Sequence, residues 1–100
     1  MMTEPVKKDW GVYILACGDG SLYTGITDDL ERRLAAHASG KGAKYTRGRG
    51  PFALQYWEVC DSRSHALKRE LAIKRLPRSG KLQLCMTYDI KIRSEEHDLS

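Results

Sequence analysis

No apolar stretch of the chain approaches the roughly 20 residues that a membrane-spanning helix needs. The longest, Trp10 to Cys17, is far shorter, and no signal-peptide pattern precedes it, so no membrane role and a cytoplasmic location are expected. Paired cysteines are missing as well. Cys17, Cys60 and Cys85 are scattered without a C-x-x-C unit, which argues against a zinc site or redox dithiol and for reduced, buried thiols. There is no internal repeat, no low-complexity block and no Pro/Gly/Ser-rich linker long enough to split the chain, so the 100 residues make one small domain. Charge of one sign is also scarce, since 17 lysines and arginines against 13 acids leave only +4. That balance is a weak hint of a polyanionic partner. With 41% hydrophobic and 30% charged residues, the composition is that of a globular domain with a modest core, not of a disordered chain.

Gly11 to Ala16 (GVYILA) and Leu22 to Ile26 (LYTGI) are rich in β-branched and aromatic residues and flank the turn Gly18-Asp19-Gly20-Ser21, which predicts a β-hairpin. Thr27-Asp28-Asp29 supplies an N-cap, with Glu31 three residues after Asp28 as a capping box. A helix is expected from there to about His37, stopped by Ser39-Gly40. The stretch Ser39 to Pro51 holds four glycines and four cations without apolar periodicity and is expected to be a basic loop. Phe52 to Val59 reads as a third strand, and Ser62 or Ser64 caps a second helix that ends at Leu76 before Pro77. A short helix from Ser79 to about Met86 follows, then a frayed charged end from Arg93 to Ser100. The expected fold is α+β, a three-stranded antiparallel sheet flanked by helices in the order ββαβα(α). Its division is a flexible N-terminus over 1–9, a folded domain over 10–86 and a tail over 87–100.

Several polar residues fall where the pattern calls for apolar ones. With Leu30 at zero and about 100° per residue, Leu34 lies near 40°, His37 near −20° and Arg33 near −60°, whereas Arg32 points away at about 200°. Arg33 and His37 thus flank the apolar stripe, and Arg33 either packs its stem with the head in water or is held at a site. In the second helix Ala66, Leu67, Leu71 and Ile73 form an apolar arc, with Glu70 and Lys74 near its centre. An inward carboxylate needs a partner. An i,i+4 ion pair with Lys74 and a functional role are both open. Tyr13 and Tyr23, on the two hairpin arms, are core residues or phenols placed for hydrogen bonding and proton transfer. Lys41, Lys44, Arg47 and Arg49 around Tyr45 suit a phosphate backbone with an aromatic for a base, or else form a solvated surface loop.

Taken together, Gly11-Val12-Tyr13, Tyr23-Thr24-Gly25, Thr27 to Arg33 with His37, and Glu70 in the next helix resemble the GIY-YIG endonuclease domain. The R-R-x-x-x-H helix, the S-G-K-G-A-K-Y-T-R loop and the E-x-x-x-K helix are similar to its short stand-alone bacterial branch, and the likeness spans Trp10 to about Leu84. The resemblance implies that Tyr13 and Tyr23 are the two motif tyrosines, Arg33 the catalytic arginine, His37 the site histidine and Glu70 the carboxylate for Mg²⁺ or Mn²⁺. It implies hydrolysis of DNA phosphodiesters, and RNA stays open as a substrate. The basic loop, with Lys44 nearest the phosphate, would add affinity that falls as salt rises. No helix-turn-helix, zinc finger or second targeting domain is legible, so selectivity is expected from nucleic-acid structure or ends, in a role such as repair, and whether a partner protein supplies targeting stays open. One departure is that several nucleases of the superfamily use an asparagine downstream of the glutamate, and this chain has none. A non-catalytic nucleic-acid-binding module is the alternative, and a protein-interaction domain a third.

Overall fold

The computed structural model describes residues 9–98, so the expected flexible N-terminus lies almost wholly outside the described residues. Three strands, β1 (Gly11–Ala16), β2 (Leu22–Thr27) and β3 (Ala53–Val59), and three helices, α1 (Leu30–Ala38), α2 (Arg63–Lys74) and α3 (Arg78–Asp98), follow in the order ββαβαα. Both pairings are antiparallel and the sheet order is β2-β1-β3. This is the expected α+β architecture.

The hairpin forms because its turn satisfies itself. Asp19 accepts hydrogen bonds from the backbone N–H (3.0 Å) and hydroxyl (2.6 Å) of Ser21, and Gly20 takes φ +87°, which costs an L side chain but not glycine. As the central strand, β1 is covered on both faces, so Val12 to Leu15 are all fully buried instead of alternating in and out. Val12 and Ile14 pack against Ile73 of α2 and Cys85 of α3, joined by Leu22, Ile26, Tyr56 and Leu84. By the pleat, Tyr13 and Leu15 project from the other face. Cys17, Cys60 and Cys85 are buried free thiols, as expected.

Three expectations are corrected. The N-cap of α1 is Asp29, whose side chain accepts from the Arg32 N–H, so the capping box through Asp28 and Glu31 does not form. In α2 only Ala66 and Ile73 are buried, while Leu67 and Leu71 are 39% and 52% exposed, which turns the helix so that Glu70 sits at the rim of its buried face. Arg69 on the other rim reaches Glu58 of β3 with two hydrogen bonds of 2.7 and 2.9 Å, a bidentate pair that resists rotation back. Finally, the last helix does not stop near Met86. It runs to Asp98, stabilised by the Arg93–Asp89 pair at 3.1 Å and by Tyr88 packed edge-on against Tyr56. The expected frayed end is therefore helical through Asp98. No helix among the described residues is long and apolar enough to cross a membrane.

Candidate active site

Register places Tyr13 of β1 directly opposite Gly25 of β2. A Cβ at position 25 would lie 2.6 Å from the Tyr13 hydroxyl and 2.7 Å from Cζ, so the glycine of Y-T-G makes the room into which the tyrosine of G-V-Y folds. The Tyr13 hydroxyl lies 2.7 Å from Nε2 of His37 and accepts from Nε of Arg33 at 3.3 Å. Helix α1 delivers both partners, on the flank of its stripe that their spacing indicated, while Arg32 is exposed. The same guanidinium also interacts with the Tyr23 phenol. Burial pushes the Tyr13 phenol up to about 12, a rise that the Arg33 hydrogen bond and charge partly offset.

His37 is fully buried, with its ring among Tyr13, Tyr23 and Phe52 at centroid distances of 5.7, 5.4 and 5.8 Å. Its Nδ1 lies 2.9 Å from the hydroxyl of Thr46, which in turn donates to the carbonyl of Ala43 at 3.0 Å. A threonine hydroxyl has one hydrogen, so Thr46 accepts from Nδ1–H, and Nε2 is the bare nitrogen that accepts from Tyr13. Burial, and secondarily the Arg33 charge, lowers the His37 pKa and keeps the ring neutral. With a folded value below the unfolded one of about 6.5, protonation favours the unfolded chain. Stability is therefore expected to be at its full value above pH 6.5 and to fall as the pH drops from there through the folded pKa. Denaturant titrations from pH 7.5 to 4.5 check this, and His37→Gln should flatten the dependence.

Thr46 was not among the residues singled out by sequence, because a threonine inside a basic, glycine-rich loop has no periodicity to mark it. Gly42 has a similar hidden task, since a Cβ there would come within 2.3 Å of His37 Nδ1 and 2.8 Å of its backbone. The loop is tied down elsewhere too. Arg49 pairs with Asp19 at 2.5 Å and donates to the Tyr45 carbonyl at 2.7 Å, Gly18 N–H bonds the Arg49 carbonyl at 2.6 Å, and Tyr45 stacks on Tyr23 at 5.8 Å. Arg49 is thus occupied in closing the loop on the hairpin turn. Lys41, Lys44 and Arg47 are exposed and make no ion pair among the described residues.

Glu70 arrives from α2, which packs across β2 and β1. Its side chain is 19% exposed, and the i,i+4 pair with Lys74 does form, loosely, at 3.4 Å. The same carboxylate acts on Tyr13, whose pKa its charge helps to raise. Among the described residues no three His, Cys, Asp or Glu side chains gather as a closed metal cage. A lone hard-oxygen donor at the rim fits a hydrated Mg²⁺ or Mn²⁺, which keeps waters and takes phosphate oxygens to complete its shell.

The three-stranded antiparallel sheet with its three helices is the fold that the resemblance implies. The GIY-YIG catalytic domain matches residues 9–83, and the chain belongs to that family. It is similar to the UPF0213 protein CPE1444 of Clostridium perfringens, 51% identical over 89 residues that make up 89% of this chain and 96% of that one. Among solved structures it resembles the UPF0213 protein BH0048 from Bacillus halodurans, with 52% identity, TM-score 0.52 and coverage of 79% of this chain and 84% of that one. The protein EF2693 from E. faecalis gives 42% identity and TM-score 0.56 over 88% and 93% of the two chains.

Proposed function

We propose that the chain is a metal-dependent nuclease that hydrolyses DNA phosphodiester bonds, selective for structure or ends rather than sequence, with repair or recombination as its setting. The observation that carries this reading is the buried Tyr13 phenol held between Arg33 and a neutral His37. A phenol whose pKa burial has raised is a poor source of free tyrosinate. Here it needs none, because it passes its proton on. As the attacking water loses a proton to the Tyr13 oxygen, the proton already on Tyr13 moves to Nε2 of His37. The resulting hydroxide forms the new P–O bond, and the bond to the leaving oxygen breaks with its electron pair staying on that oxygen, which takes a proton from solvent. Arg33 has five N–H donors; it uses Nε on Tyr13 and also engages the Tyr23 phenol, and the donors that remain serve the non-bridging oxygens as charge builds there. Tyr23, beside Arg33, orients water or phosphate. Glu70 would hold the divalent ion, which when bound offsets charge on the phosphate and the leaving oxygen. Lys41, Lys44 and Arg47 supply sequence-independent affinity for the backbone.

The test incubates the protein with end-labelled single-stranded, duplex, flapped and branched DNA in Mg²⁺, Mn²⁺ or EDTA, alongside Glu70→Gln. Cutting is expected only with metal, and the variant should lose about 10²-fold or more, matching the several kcal/mol such an ion supplies. Its affinity for DNA should hold or rise, since a repulsive carboxylate is gone. Binding without cleavage of any substrate in any metal would instead make the chain a nucleic-acid-binding module.

A further inference from the structure

Beside Tyr23 lies a groove of about 270 Å³ lined by Leu22, Tyr23 and Thr24 of β2, Tyr45 of the basic loop, Lys74 of α2 and Lys81 of α3. Four segments far apart in sequence thus bring two phenol rings and two ammonium groups together, and among the described residues no carboxylate lines the groove. Tyr45 stacks on Tyr23 with an interplanar angle of 23°, carries the Arg49 guanidinium 4.5 Å over its ring and stays 48% exposed. The platform is preformed, because the Gly18–Arg49 backbone hydrogen bond and the Arg49–Asp19 pair anchor the loop. Lys74 holds Glu70 only at 3.4 Å with its own side chain half exposed, and Lys81 makes no ion pair among the described residues.

Cations beside aromatic surface match the phosphate and base of a nucleotide, and a base can offer its face to a phenol only when it is not sealed in a duplex stack. We infer that this groove is a subsite for an unpaired nucleotide next to the scissile phosphate, with Lys74 and Lys81 on its phosphates and its base against the stack of Tyr23, Tyr45 and Arg49. The inference rests on the nuclease reading only for where the scissile phosphate lies. It makes the preferred substrate a strand that is single-stranded at or beside the cut.

The experiment measures affinity by fluorescence anisotropy in EDTA, so that nothing is cleaved, using the full chain with a short single-stranded DNA and a blunt duplex of equal length. Lys81→Glu is compared with Lys68→Glu, the same charge change at an exposed position of α2. Lys81→Glu is expected to weaken single-strand binding about tenfold and to flatten its salt dependence by about one unit of slope, with no more effect on the duplex than Lys68→Glu has. Tyr45→Ala should weaken single-strand binding by about tenfold. If Lys81→Glu acts poorly folded by circular dichroism, Lys81→Met keeps the stem and replaces it. Equal losses for the two lysine variants on both probes, or an unchanged affinity for Tyr45→Ala, would overturn the subsite. Selective loss from a wild type that never cuts sinks the nuclease reading and leaves the subsite standing, whereas cutting by a wild type whose variants bind normally does the reverse.

Discussion

Arg33→Lys is expected to lower the cleavage rate by about 10²–10³-fold, the loss seen when one preorganised donor to a developing oxyanion is removed. Charge is conserved in this variant, so electrostatic attraction for DNA should change little. What disappears is the fork. Arg33 donates through Nε to Tyr13 at 3.3 Å and engages the Tyr23 phenol as well, and an ammonium on a flexible stem cannot serve these partners and a phosphate together at fixed geometry. Single-turnover cleavage with saturating protein separates this effect from binding. A rate within a few-fold of wild type would mean that Arg33 acts as charge alone.

Thr46→Val should change both stability and the protonation pattern of the site. Valine has nearly the shape of threonine but no hydroxyl, so Nδ1–H of fully buried His37 loses its acceptor. Leaving a buried donor unmet costs about 1–3 kcal/mol, and each kcal/mol lowers the melting temperature of a domain this size by about 4–8 °C. The ring relieves part of that cost by moving its proton to Nε2, which then donates to Tyr13 and is lost as the proton acceptor. Nitrogen NMR of the His37 ring should show the two nitrogens exchanging character. Cleavage should fall with them, and Thr46→Ser should restore both. An unaltered ring spectrum in Thr46→Val would show that Thr46 packs without directing the proton.

The course of the chain was largely legible. Strand and helix periods, Asp-Gly and Ser-Gly punctuation and serine capping place the first five elements within a few residues, because these signals are local. The misread end had a local cause as well. Past Met86 the chain is strongly charged and looks like a tail, yet Tyr88 meets Tyr56 on β3, and that tertiary contact holds the helix together. Leu67 and Leu71 lie on the apolar arc that the helical period predicts, yet both stay exposed, because the Arg69–Glu58 pair fixes the rotation of α2 against the sheet.

By itself, then, the sequence determined the first five elements and the α1 flank that carries Arg33 and His37, since spacing along a strand or helix dictates which way a side chain points. The tertiary structure alone decided what those side chains touch. It set the Tyr13 hydroxyl between Arg33 and His37, brought Thr46 from the basic loop to orient the ring, withdrew Arg49 into a pair with Asp19 and gathered Lys74 and Lys81 beside Tyr45. Each of these depends on contacts between segments distant in the chain, in three-dimensional packing that no local pattern records.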